Sequence, residues 1–309
     1  MTAATKKNRS KAKKTPLETR LTLKKTAEPK STIASAWQIT LGSTAVLRQN
    51  WQLFSGIMLI YALAYLVLVQ GLGSVTSVAS LKSEFASVYH GHLGSLFTGL
   101  GVFALLIGSS STNSNPAASS YQSFLILIVS LVIIWTLRQI YSGTKVRIRD
   151  GYYKGLYPLI PFILVLVVIG IQLIPLVIGS TLYNLVITGG VAVNLIEKLI
   201  SLIIIIGLML ASLYFISSSI FAIYIVTLPD MTPIKALRSA KGLVKGRRLL
   251  ITRKLIYLPV MLLIVTSVIM LPFILIIPAV AVWIFFILSL GVIVVVHSYL
   301  YSLYRELIK

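Results

Sequence analysis

Apolar residues come in long unbroken runs separated by short polar stretches, a pattern with neither the two-residue alternation of a strand nor the half-polar face of a soluble helix. Runs at about 51–73, 121–141, 157–179 and 195–228 are each long enough to cross a hydrocarbon core about 30 Å thick as a helix. From Leu255 to Tyr304, 50 residues carry no Lys, Arg, Asp or Glu. That is too many for one span and enough for two, at 255–277 and 280–304, with Pro272 and Pro278 marking the turn. The pattern predicts an all-α, polytopic integral membrane six-helix bundle over 33–309. The run 195–228 is the longest, so that helix is expected to tilt, bend or project beyond the bilayer.

Charge fixes the count of spans. The 309 residues are 57% hydrophobic and 11% charged, with a mean hydropathy of +0.93, yet the net charge is +21. Residues 1–32 hold ten basic side chains, Glu18 and Glu28, and no apolar period, which predicts a disordered polybasic arm. Arg48 interrupts the chain before the first long apolar run, against a cleaved signal peptide. Six spans place 26 of the 28 Lys and Arg on one side, leaving Lys82 and Lys198 on the other. Counting the short apolar stretch 93–108 as a seventh span would split them 12 against 16. The positive-inside rule therefore favours six spans in the cell inner membrane, with both termini cytoplasmic and 93–108 interfacial or re-entrant.

Each pair of spans is preceded on the inner side by a short basic stretch, at 33–50, 143–155 and 232–254. The third is the most regular. At 100° per residue Lys235, Arg238, Lys241, Lys245 and Arg248 share one face, and Ala236, Leu237, Ala240, Leu243 and Val244 the other. Pro233 suits its first turn, with Asp230 or Thr232 as cap. Such a helix lies at the inner leaflet boundary with its cations beside anionic headgroups. The same charges also serve simply to hold the loop inside.

The run VTLPDMTPIKALRSAKGLVKGRR, with Pro229, Ala236, Leu237, Ser239, Lys245 and Gly246, resembles the membrane domain of some bacterial glycerophosphoryl diester phosphodiesterases and related stand-alone bacterial membrane proteins. Tyr304, Arg305, Glu306 and Leu307 are similar to the end of that family's last span, and Arg48, Asn50, Trp51 and Phe54 to its approach to the first. The resemblance implies a six-helix bundle. It does not imply phosphodiesterase chemistry, because the family's hydrolytic activity belongs to a separate soluble barrel with a metal-binding His and Glu set, and no such set occurs in these residues.

Cysteine is absent, and no P-loop, dinucleotide turn, nucleophile elbow or HExxH occurs, so no cofactor is implied. Glu84, His90 and His92 are the one place where several metal ligands gather, in a segment of outer-loop composition that favours solvated histidines. His297 lies within the last span, near Tyr299 and Tyr301, where one hydroxyl or backbone partner satisfies it. Gln172, Ser212, Ser217, Ser218, Ser219 and His297 form a candidate polar path, and Pro161, Pro175, Pro259 and Pro272 are candidate helix breaks of the kind that build transporter sites. The leading expectation is a non-catalytic membrane protein that organises lipid or a partner complex through its cationic inner face. A transporter or lipid translocase is the alternative. Expected partners are anionic membrane lipids and a membrane protein, with no specific nucleic acid.

Overall fold

The computed structural model describes residues 34–70, 116–189 and 194–308. The arm expected at 1–32, the segment 93–108, and Glu84, His90 and His92 lie outside the described residues. Among those described there is no strand. The helices are α1 (Ala36–Gln49), α2 (Trp51–Tyr65), α3 (Pro116–Tyr141), α4 (Ile148–Gly155), α5 (Leu159–Tyr183), α6 (Leu195–Ser219), α7 (Ala222–Ile225), α8 (Pro233–Val244), α9 (Arg248–Ile276) and α10 (Pro278–Ile308). A π-helical turn extends α2 over Leu66–Gln70 and α5 over Asn184–Thr188.

Six helical stretches are long and apolar enough to span a membrane: Trp51–Val69, Ala117–Tyr141, Leu159–Val186, Leu195–Ile225, Arg248–Phe273 and Trp283–Ile308. They are called spans one to six. Span three runs past the expected end at Gly179 to Val186, through Ser180 and Thr181, whose hydroxyls donate to the Val177 carbonyl. Span five begins seven residues earlier than expected, since Arg248, Arg253 and Lys254 are already helical.

The prolines do not break the spans. Helix α5 continues through Pro175, and α9 through Pro259 and Pro272. In hydrocarbon a broken helix leaves backbone groups with no water to bond, so losing one ladder bond at each proline is the smaller cost. Pro161 lies in the first turn of α5, where its missing N–H would be unpaired in any case. Of the expected pair, Pro278 alone makes the turn, as the first residue of α10 after Ile277, whose φ of −138° and ψ of 78° leave the helical range.

The spans form three antiparallel hairpins. Gly56 and Ile57 of α2 meet Ile148 and Tyr152, just beyond the end of span two, so the spans flanking 71–115 run in opposite directions, as a six-span count requires. Ser212 meets Gln172 while Ile205 and Leu208 meet Gly179, which makes spans three and four antiparallel. Tyr299 reaches Lys254, and Met270 packs with Ala281, pairing spans five and six. A short helix, α1, α4 or α8, precedes each hairpin at the same basic end.

Local chemistry explains how these short helices dock. Helix α1 starts with a capping box, in which Ser35 Oγ accepts from the Gln38 amide at 3.2 Å and Gln38 Oε1 from the Ser35 amide at 3.0 Å. Helix α4 lies on span two through Gly151 and Gly155. A Cβ at Gly151 would stand 3.2 Å from Val132 and Thr136 side-chain atoms, and one at Gly155 3.3 Å from the Val132 Cα. The Tyr152 hydroxyl of α4 donates to the Ile57 carbonyl at 3.0 Å, and burial pushes its phenol up to about 12.

Candidate functional site

The basic end carries two layers, a cationic surface and a buried aromatic and polar layer beneath it. On the surface, Thr232 caps α8 by accepting from the Lys235 amide at 3.4 Å, and Pro233 opens the helix. Asp230, the alternative cap, instead occupies the turn before it with φ 56°. Ala236, Ala240 and Val244 are buried against the bundle, and Lys235, Arg238 and Lys241 point away from it.

The expected single face of five cations is shorter than that. Helix α8 ends at Val244, Lys245 caps it with extended backbone, and Gly246 turns the chain at φ 81°, a conformation suited to glycine. Lys245 is thus exposed in the turn. Arg248 opens α9, half-buried, with its guanidinium 4.4 Å from the centre of the Tyr214 ring. Three cations share the helical face, and a fourth instead ties span five to span four.

The buried layer is organised by α10, whose His297, Tyr301, Tyr304 and Arg305 fall on one face at helical spacing. Tyr224 of α7 inserts against that face, its ring centre 5.7 Å from that of Tyr301, 6.0 Å from Tyr304 and 6.4 Å from His297. Tyr141 of span two stacks on Tyr301 at 5.5 Å, places its hydroxyl 2.9 Å from Ser302 Oγ, and lies 4.1 Å beneath the Arg305 guanidinium. Arg138, one turn earlier, donates to the Thr227 carbonyl at 2.7 Å, to the Thr227 hydroxyl, and to the Tyr224 carbonyl at 3.5 Å. Hydrogen bonds from a guanidinium to such acceptors are charge-assisted and stronger than neutral ones. On the far side of α10, the Lys254 ammonium donates to the Ala34 carbonyl and Tyr299 to the Lys254 carbonyl, joining span five to the approach to α1.

The candidate polar path divides into separate groups. Ser212 donates to the Gln172 carbonyl at 2.9 Å, within the span three and four hairpin. Ser217 and Ser218 donate to the Tyr214 and Phe215 carbonyls of their own helix, and Ser219 is buried. His297 bonds elsewhere, with Nε2 3.0 Å from Ser130 Oγ and Nδ1 3.4 Å from the Tyr224 hydroxyl. A serine beside an imidazole has the reach of a nucleophile and its base. Here Ser130 is 6% exposed and the other imidazole nitrogen faces the Tyr224 hydroxyl, and the three side chains join spans two, four and six. Among the described residues no three His, Asp or Glu side chains converge as metal ligands.

The sequence reading sets His297 near Tyr301 and places Tyr304 in the family-like ending, but it does not single out Arg138 or Tyr224 or join these side chains into one layer. The spacing of His297, Tyr301, Tyr304 and Arg305 was the available signal for part of the layer. Six apolar helices arranged in three hairpins define a multi-pass integral membrane protein. Comparison with protein-family models, with curated proteins and with solved structures found no match for the chain.

Proposed function

We propose that the protein is a non-catalytic integral membrane protein of a bacterial inner membrane, with both termini cytoplasmic, that organises anionic lipid through the exposed face of α8. The carrying observation is the division of that helix. Its apolar side is buried on the bundle and Lys235, Arg238 and Lys241 face outward, so the cations are held at a fixed level beside the spans. Each such cation near an anionic leaflet contributes about 1 kcal/mol. This role suits the resemblance to the membrane domain of bacterial glycerophosphoryl diester phosphodiesterases, a domain with no known catalytic role. Transport or lipid translocation is the weaker reading, because the prolines on which it drew lie inside continuous helices.

The test uses the full chain reconstituted in nanodiscs of equal zwitterionic and anionic phospholipid, with retained lipid read by native mass spectrometry. Anionic lipid should be enriched, and the triple variant Lys235→Gln, Arg238→Gln, Lys241→Gln should lose that enrichment. Equal retention by both proteins would sink the proposal.

A further inference from the structure

The hairpin of α5 and α6 is attached to the bundle at one end. Near the basic end Phe162 and Val165 of α5, Ser217 and Ser219 of α6, and Phe221, Ala222 and Tyr224 beyond them are all buried. Farther out the burial stops. No position of α6 from 195 to 211 is buried, and beyond Ile169 the one buried position of α5 is Gly179, whose near neighbours are Ile205 and Leu208 of α6. Among the described residues the outer halves of the two helices pack on each other and leave the rest of their surface open.

The junction between the free and held parts has its own chemistry. The α6 helix stops at Ser219, and α7 restarts at Ala222. Just before the gap, the Ser217 and Ser218 hydroxyls donate back to carbonyls three residues earlier at 2.8 and 2.7 Å, a local bond that competes with the helical ladder and bends helices. Just after it, Arg138 of span two holds the Tyr224 carbonyl of α7 and the Thr227 carbonyl two residues past its end.

We propose that the hairpin of spans three and four is a lateral arm that swings on a pivot at Ser217–Phe221, with Arg138 as the latch that holds its base. A swing exchanges lipid contact for lipid contact, so no hydrophobic penalty resists it. The directional ties lie at the base: the Arg138 bonds and the packing of Tyr214 against Arg248. This goes beyond lipid organisation and involves none of the α8 cations, so either proposal can fail without the other.

Because the chain has no cysteine, spin labels can be introduced in pairs without background. The arm pair is Ile203→Cys with Phe124→Cys, and the control pair is Val67→Cys with Ile287→Cys, all at exposed positions. Double electron–electron resonance in nanodiscs reads both distance distributions, with and without Arg138→Gln. Loss of the guanidinium should broaden the arm pair and shift it to longer distances while leaving the control pair unchanged. An arm pair with the same distribution in both proteins overturns the proposal. If Arg138→Gln loosens both pairs alike, Thr227→Val, which removes one acceptor and keeps the cation, decides by the same criterion.

Discussion

Spans two and four are both long and strongly apolar, yet 44% of the most apolar stretch of span two is buried and only 6% of that of span four. Apolarity therefore explains why each crosses a membrane and not why one is packed. In lipid, helices gain little from the hydrophobic effect on meeting, and association rests on close contact and hydrogen bonds. Span two supplies both, with Ser130 beside His297, Arg138 on the Thr227 carbonyl beyond α7, and Val132 and Thr136 against the glycines of α4. The half of span four away from the basic end leaves its Leu and Ile branches exposed.

The sharpest way to break that comparison is to shorten one aliphatic side chain in each span. Leu131 is fully buried in span two, and Leu131→Ala should cost about 3 kcal/mol through lost packing and a residual cavity. Ile203 in span four is 69% exposed, and Ile203→Ala should stay within about 0.5 kcal/mol. Denaturant unfolding in mixed micelles reads both. Equal costs would mean that span four is packed as tightly as span two.

A glycine pair gives the next largest difference. At Gly155 a Cβ meets the Val132 and Trp135 backbone and Cβ at 3.3 Å, so Gly155→Ala should push α4 off span two and cost about 1–2 kcal/mol. At Gly207 in span four nothing lies within 4 Å, and Gly207→Ala should gain about 0.5 kcal/mol, because alanine restricts the unfolded chain and favours the helix. Opposite signs in the same assay are the expected result. Two changes of the same sign would remove the contrast.

What could be read from the residues follows the range of the interactions involved. The number and order of the spans and the start of α8 at Pro233, with Asp230 or Thr232 as cap, depend on local pattern, and the fold agrees with them, while one end each of spans three and five lies seven residues beyond the expected bound. The early end of α8 was also local, since Gly246 stood within the basic run, but a helical wheel drawn through it carried the face on to Arg248. Pro175, Pro259 and Pro272 are candidate breaks by residue type alone, and whether a span breaks there depends on whether neighbours can satisfy the freed backbone groups, which the residue string does not show. The aromatic layer was hidden for a different reason: Arg138 reaches carbonyls 86 and 89 residues away, and Tyr224 meets a histidine 73 residues on. A charge tally records Arg138 only as one cation on the inner side, and the contact that defines its role comes from folding.

The smallest effect tests whether the hairpin of spans three and four holds a polar path or only a seam. Ser212 donates to the Gln172 carbonyl within the hairpin of spans three and four. Ser212→Ala should therefore cost about 0.6 kcal/mol, the usual size of a hydrogen bond between membrane helices. Gln172 Oε1 is buried with no partner among the described residues, so its burial carries an uncompensated desolvation cost. Gln172→Leu removes that oxygen while keeping most of the volume, and stability should be unchanged or slightly higher. A seam predicts both results. A path that carries a polar solute needs the amide, and a loss of more than about 1 kcal/mol on Gln172→Leu would show that the side chain has a partner worth that much, restoring spans three and four as a candidate route across the membrane.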